Sequence, residues 1–198
     1  MDPRTTAVLL VHLEGDIVTA EGAFGPVFAA QVAERDVLGA TARFLESVRP
    51  RGVTPVFLRI AFTPSYDDLV ATIPLLAMTE HAGALKDGTP GAEIVAHVAP
   101  LDGDVVVTHQ RPGPFHGSVL QETLAARGIT TVLVGGVATN ASVEMTFRQA
   151  ADHGYETVLV EDLCSAADQA AHEASIGSMR LFGRIASSDE ILAELAGP

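Results

Sequence analysis

Thr130-Thr131-Val132-Leu133-Val134-Gly135-Gly136-Val137-Ala138-Thr139-Asn140-Ala141-Ser142 is the stretch on which the fold turns. It opens as a run of apolar, mostly β-branched residues, bends at two glycines and leads into an amphipathic segment that closes at His153-Gly154. The apolar run predicts a strand over Thr130–Gly135, and the 3.6-residue pattern predicts a helix over Asn140–His153. The apolar residues are consecutive, not alternating, as expected of a strand covered on both faces of a parallel sheet. Outward from this unit the same rhythm recurs. Further strands are expected at Ala7–His12, Thr54–Ile60, Asp104–His109, Glu156–Glu161 and, more weakly patterned, Arg184–Ser187. Helices are expected at Ala29–Val48, Ser118–Arg127, Ala170–Leu181 and Ser188–Leu195, the last beginning with acidic residues that suit the positive end of a helix dipole. Gly128 and Gly154 each follow a helix, where a left-handed residue costs least in glycine. A β-α-β succession implies right-handed crossovers. The expected fold is therefore a three-layer, doubly wound α/β sheet of five or six mainly parallel strands, with residues 1–198 as a single domain. The segment from Ala61 to Gly103 breaks the rhythm and carries four prolines; it reads as an excursion that covers one end of the sheet and walls a pocket.

The 198 residues carry 25 acidic against 12 Lys and Arg side chains, a formal net charge of −13, and 47% of them are apolar. A surface this acidic repels phosphate backbones and anionic lipid, so neither nucleic acid nor membrane is an expected partner. Cys164 is the one cysteine, which leaves no internal disulfide and no cysteine-based metal cluster. The N-terminus runs into an apolar strand without a signal-peptide layout, and no run reaches the ~20 apolar residues of a membrane span. A cytoplasmic location is expected.

Open parallel sheets bind ligands beyond the carboxyl ends of their strands, where strand order reverses. The first strand ends at His12, followed by Glu14 and Asp16. The second leads to Arg59, Phe62 and Tyr66. The third ends at His109, followed by Arg111, Phe115 and His116. The fourth ends in the glycine turn before Ser142. Ser142 lies beside backbone N–H groups, at Ala138 and at Ser142 itself, that could hold a developing oxyanion; the blander reading is that Asn140 and Ser142 cap the helix. His12 and His109, on strands expected to be neighbours, can exchange a proton near neutral pH. Arg59 and Arg111 could grip a carboxylate. Asp16, Phe62, Tyr66, Phe115 and His116 could complete a substrate wall, although each also suits ordinary packing. His12, Asp16 and His109 are ligand-type residues but match no recognised zinc spacing, and no phosphate loop or dinucleotide fingerprint is present. Neither metal nor nucleotide cofactor is expected.

Four segments together resemble one family. Thr6 to Ile17, Val105 to Arg111, Gly136 to Glu144, and Val160 to Ala166 with His172 to Ser175 are similar to the isochorismatase-like hydrolase superfamily, which includes nicotinamidases and N-carbamoylsarcosine amidases. The resemblance spans nearly the whole chain and implies a Rossmann-like sheet, a small-molecule substrate and a homo-oligomer, a dimer or tetramer. The amidases of that superfamily use an aspartate, a lysine and a nucleophilic cysteine. In this chain His12, His109 and Ser142 stand at those three places. Three readings follow. Ser142 attacks an amide or ester carbonyl with imidazole assistance. Alternatively, His12 or His109 performs acid–base chemistry, such as vinyl-ether hydrolysis, without a covalent intermediate. In the third, the pocket binds a small molecule without turning it over.

Overall fold

In the structure, a computed structural model describing residues 1–195, every strand pair is parallel. The strands are β1 (Thr6–Val11), β2 (Thr54–Ile60), β3 (Val105–His109), β4 (Thr131–Val137), β5 (Glu156–Ser165) and β6 (Arg184–Ala186). They lie in the order β3-β2-β1-β4-β5-β6, so the chain winds outward in both directions from β1 and strand order reverses between β1 and β4. The helices are α1 (Gly15–Val18), α2 (Gly25–Glu34), α3 (Val37–Val48), α4 (Pro74–Ala82), α5 (Leu120–Ala126), α6 (Glu144–Asp152), α7 (Gln169–Met179) and α8 (Ser188–Leu195). The doubly wound architecture read from the sequence is the one observed. The expected single domain runs to residue 198; residues 196–198 lie outside those described.

The unbroken apolar runs reflect burial on two sides. Ala7, Leu9 and Val11 of β1 join a core beneath α5, α6 and α7, which includes Leu120, Phe147 and Met179. Val8 and Leu10 join the opposite core beneath α2, α3 and α8, with Val32, Phe44 and Ile191. Each fully buried aliphatic or aromatic side chain contributes about 1.5–3 kcal/mol relative to exposure, so both layers hold the sheet. Among the described residues no helix is long and apolar enough to cross a membrane.

Three expectations are revised. The helix expected over Ala29–Val48 is two helices, because Asp36 adopts a left-handed conformation (φ 51°) while the preceding Arg35 reaches across to the Cys164 and Glu161 carbonyls. β5 continues past Glu161 to Ser165, passing a register shift against β4. His12 and His109 do not end neighbouring strands, since β2 lies between β1 and β3.

Two residues close the sheet where the site will stand. β1 ends at Val11 and its chain turns away, so Ile60 at the end of β2 loses a ladder partner. The fully buried Glu14 replaces it, one carboxylate oxygen accepting the Ile60 N–H at 2.5 Å. The other oxygen is buried and has no partner among the described residues. Burial pushes this carboxyl from its ordinary 4.5 up to about 8, against the opposing pull of its backbone hydrogen bonds. At Gly136 (φ 124°) a β-carbon would overlap the Val11 carbonyl of the neighbouring strand, a place only glycine fits.

Because the folded pKa of Glu14 lies above its unfolded value, its contribution to stability is complete below about pH 4.5 and is lost as pH rises through about 8. Glu14→Gln keeps an acceptor for Ile60 and cannot ionise. Its melting temperature should match the parent near pH 5 and exceed it by about 3 °C or more at pH 8.5; a gap that ignores pH would contradict this. Gly136→Ala should lower stability by more than about 3 kcal/mol in urea unfolding, and a change under 1 kcal/mol would show that the strands can part there.

Candidate active site

Where strand order reverses, β1 and β4 release their chains at the same end of the sheet and toward opposite faces. His12 follows β1 in a left-handed conformation (φ 52°), a region costly for a side-chain-bearing residue outside glycine, asparagine, aspartate and histidine. Its N–H still bonds the Leu58 carbonyl at 3.1 Å, so the residue is anchored while its ring turns out of the strand direction. The ring stacks on His109, from the end of β3, with centroids 5.1 Å apart and planes inclined 26°. The structure thus brings both histidines together across the end of β2.

The pair sits almost out of water, with His12 4% and His109 0% exposed. The Nδ1 of His109 lies 2.7 Å from the Arg111 carbonyl. A carbonyl only accepts, so Nδ1 carries the proton and Nε2 is a bare lone pair. Neither Nε2 has a hydrogen-bond partner among the described residues. Burial carries the His12 pKa well below the usual imidazole value, helped by the neighbouring His109. Burial likewise lowers His109 to about 4, although its bond to Arg111 pulls the other way. Both rings are neutral at pH 7.

β4 leads through Ala138 into a single π-helical turn, Thr139–Val143, which continues as α6. The Val137–Ala138 peptide is cis. The Ala138 carbonyl receives the N–H groups of Ala141 and Val143. α7 holds the turn from the side: His172 Nδ1 lies 2.8 Å from the Thr139 hydroxyl, and the Ser175 hydroxyl lies within reach of the Thr139 carbonyl and the Glu144 carboxylate. Ser142 lies between the two clamped residues, and its carbonyl accepts the Thr146 hydroxyl at 2.6 Å. The Ser142 hydroxyl caps nothing, since neither the turn nor α6 has a side-chain cap. That removes the blander explanation for Ser142. Asn140 is exposed.

His12, Ala138 and Ser142 share the wall of one cavity of about 60 Å³. Its opposite wall includes Leu75, Leu76 and Thr79 of α4 with Leu85, so the excursion after β2 does enclose a pocket. His109 stands behind His12, off the wall. The Ser142 hydroxyl makes no hydrogen bond to either ring among the described residues, a looseness common in unliganded sites.

The seven expected substrate residues are placed elsewhere, and none lines this cavity. Asp16 accepts the Leu85 and Ala23 N–H groups. Arg59 ties the excursion to the sheet through the Ala92 carbonyl, Asp87 and Glu93. Phe62 is core. The Tyr66 hydroxyl bonds the Ala84 carbonyl, and Arg111 bonds that of Val70. Phe115 stacks on His153 in the other layer, and His116 is exposed. Asp16, Arg59, Tyr66 and Arg111 share one reason, since each is taken up in hydrogen bonds that hold the loops at this end of the sheet. The residues overlooked were Glu14, whose burial a sequence hides, and the His172–Ser175 clamp. Among the described residues no three His, Cys, Asp or Glu side chains are grouped to hold a metal ion.

Comparison with known proteins identifies the family and the fold. Residues 6–190 match the family model of the isochorismatase domain. The isochorismatase family protein YecD of Escherichia coli O157:H7 is 31% identical over 206 residues, spanning 98% of each chain. The ureidoacrylate amidohydrolase RutB of Variovorax paradoxus is 31% identical over 78% of this chain and 67% of its own. A cysteine hydrolase from Pseudomonas syringae pv. phaseolicola superposes with a TM-score of 0.88 at 23% identity, covering 99% of this chain and 94% of its own. With the domain matched over nearly its full length and the fold shared end to end, this chain belongs to the isochorismatase family.

Proposed function

We propose that this protein is a hydrolase of a small amide or ester, with Ser142 as nucleophile and His12 as its base. The observation that carries the reading is the neutral, buried imidazole on the same cavity wall as an uncapped serine hydroxyl. A hydroxyl is far less acidic than a thiol and attacks only with a base beside it; replacing both charged partners of a cysteine site by imidazoles is consistent with that need. The family relationship and the amidohydrolase RutB among its relatives support hydrolysis as the reaction class.

Chemically, the Ser142 oxygen bonds to the substrate carbonyl carbon as its proton passes to His12. The carbonyl oxygen becomes an oxyanion facing the N–H groups of Ala138 and Ser142, both on the cavity wall. Collapse breaks the C–N or C–O bond, and the His12 imidazolium returns its proton to the departing nitrogen or oxygen. Water, deprotonated by the same ring, then releases the acid and restores the serine. His109 stacks on the His12 ring and helps to hold it out of water. Acid catalysis on a vinyl ether fits less well. It needs a protonated ring at the start, and burial removes that proton at neutral pH.

Ser142→Ala and His12→Ala should each lower kcat/KM for a simple ester by about a thousandfold or more. The parent profile of kcat/KM should rise with pH on a limb whose midpoint lies below 6.5, the ordinary imidazole value, and be flat at pH 7. Full activity in Ser142→Ala, or a rate that falls as pH climbs through 6.5, would replace the nucleophile with an acid.

A further inference from the structure

Among the described residues nothing charged faces the space beside Ser142. Its wall is built largely by Ile17, Phe24, Phe28, Leu75, Leu76 and Leu85. Of the polar groups on it, the Thr79 hydroxyl donates to the Leu75 carbonyl at 3.0 Å, which leaves His12 and Ser142 to meet a ligand. The guanidinium groups that might have paired with an acid are committed, Arg59 to Asp87 and Glu93 and Arg111 to the Val70 carbonyl. A carboxylate entering here would lose its water and gain no partner. Size adds a second limit. The cavity measures about 60 Å³, whereas one that admits benzene measures ~150 Å³.

We infer that the cavity takes a short, neutral, aliphatic acyl group, about two to four carbons long, whose carbonyl lies against Ser142. The inference rests on the serine reading above and narrows it to one substrate class. Short straight chains have the shape and polarity of the wall. Each added methylene should tighten binding about fourfold until the space is full, and aromatic or anionic acyl groups should be turned away.

Binding and turnover separate the two claims. In calorimetric titrations of the full-length Ser142→Ala protein at pH 7, butyramide should bind at least tenfold more tightly than benzamide or succinamate, and more tightly than acetamide. Leu76→Ala in the same background should widen the cavity and bring benzamide to within threefold of butyramide. Equal or tighter binding of benzamide or succinamate, or no binding of butyramide, would overturn the acyl-class inference. In the parent, hydrolysis of ethyl butyrate should exceed that of ethyl benzoate at least tenfold. Hydrolysis lost in Ser142→Ala but indifferent to the acyl group would overturn the class and leave the serine reading intact. Selective butyramide binding with no hydrolysis by the parent would do the reverse.

Discussion

Removing water from two adjacent imidazoles sets the chemistry available to this site. A charged imidazolium buried against a second ring, with no carboxylate beside it, is held far less well than in solution. The loss of His12 and His109 from water therefore fixes them as proton acceptors at neutral pH. Glu14 obeys the same rule with the opposite sign, for its buried carboxyl retains a proton that water would remove. Three titratable groups at one end of the sheet are thus pushed toward neutrality by burial, and the cavity that His12 lines is largely apolar.

The backbone makes this possible. β1 lies inside the sheet between β2 and β4, and all six of its residues are buried. The left-handed turn at His12 takes the chain out of the ladder there, Glu14 repairs the hydrogen bond left open at Ile60, and Gly136 lets β4 pass close against the Val11 carbonyl. Beyond β4 the π-helical turn, clamped by His172 and Ser175, carries Ser142 to the wall that His12 also lines. Each device is local, and together they converge on a single cavity.

Much of this was legible because it is periodic or positional. Runs such as Val132-Leu133-Val134 and Val158-Leu159-Val160 betray strands covered on both faces, and His12, His109 and Ser142 stand at strand ends where doubly wound sheets gather ligands. What stayed hidden depends on partners far away in the chain. The break at Asp36 goes with Arg35 reaching carbonyls more than a hundred residues on, and the extension of β5 runs through Glu161 and Asp162, whose polarity masks a strand. Arg59 and Arg111 look like ligand grips in sequence, yet their loops consume them. Glu14 looks like a surface acid; only the fold shows that Ile60 needs it.

The nucleophile is tested most directly by a crystal structure of the parent protein soaked with butyraldehyde, which a reactive serine converts to a hemiacetal resembling the tetrahedral intermediate. Density continuous between the Ser142 oxygen and the aldehyde carbon, with His12 within hydrogen-bond distance of the adduct, is the expected result. An aldehyde resting unbonded in the cavity, or bonded at another residue, would contradict a serine nucleophile at this site.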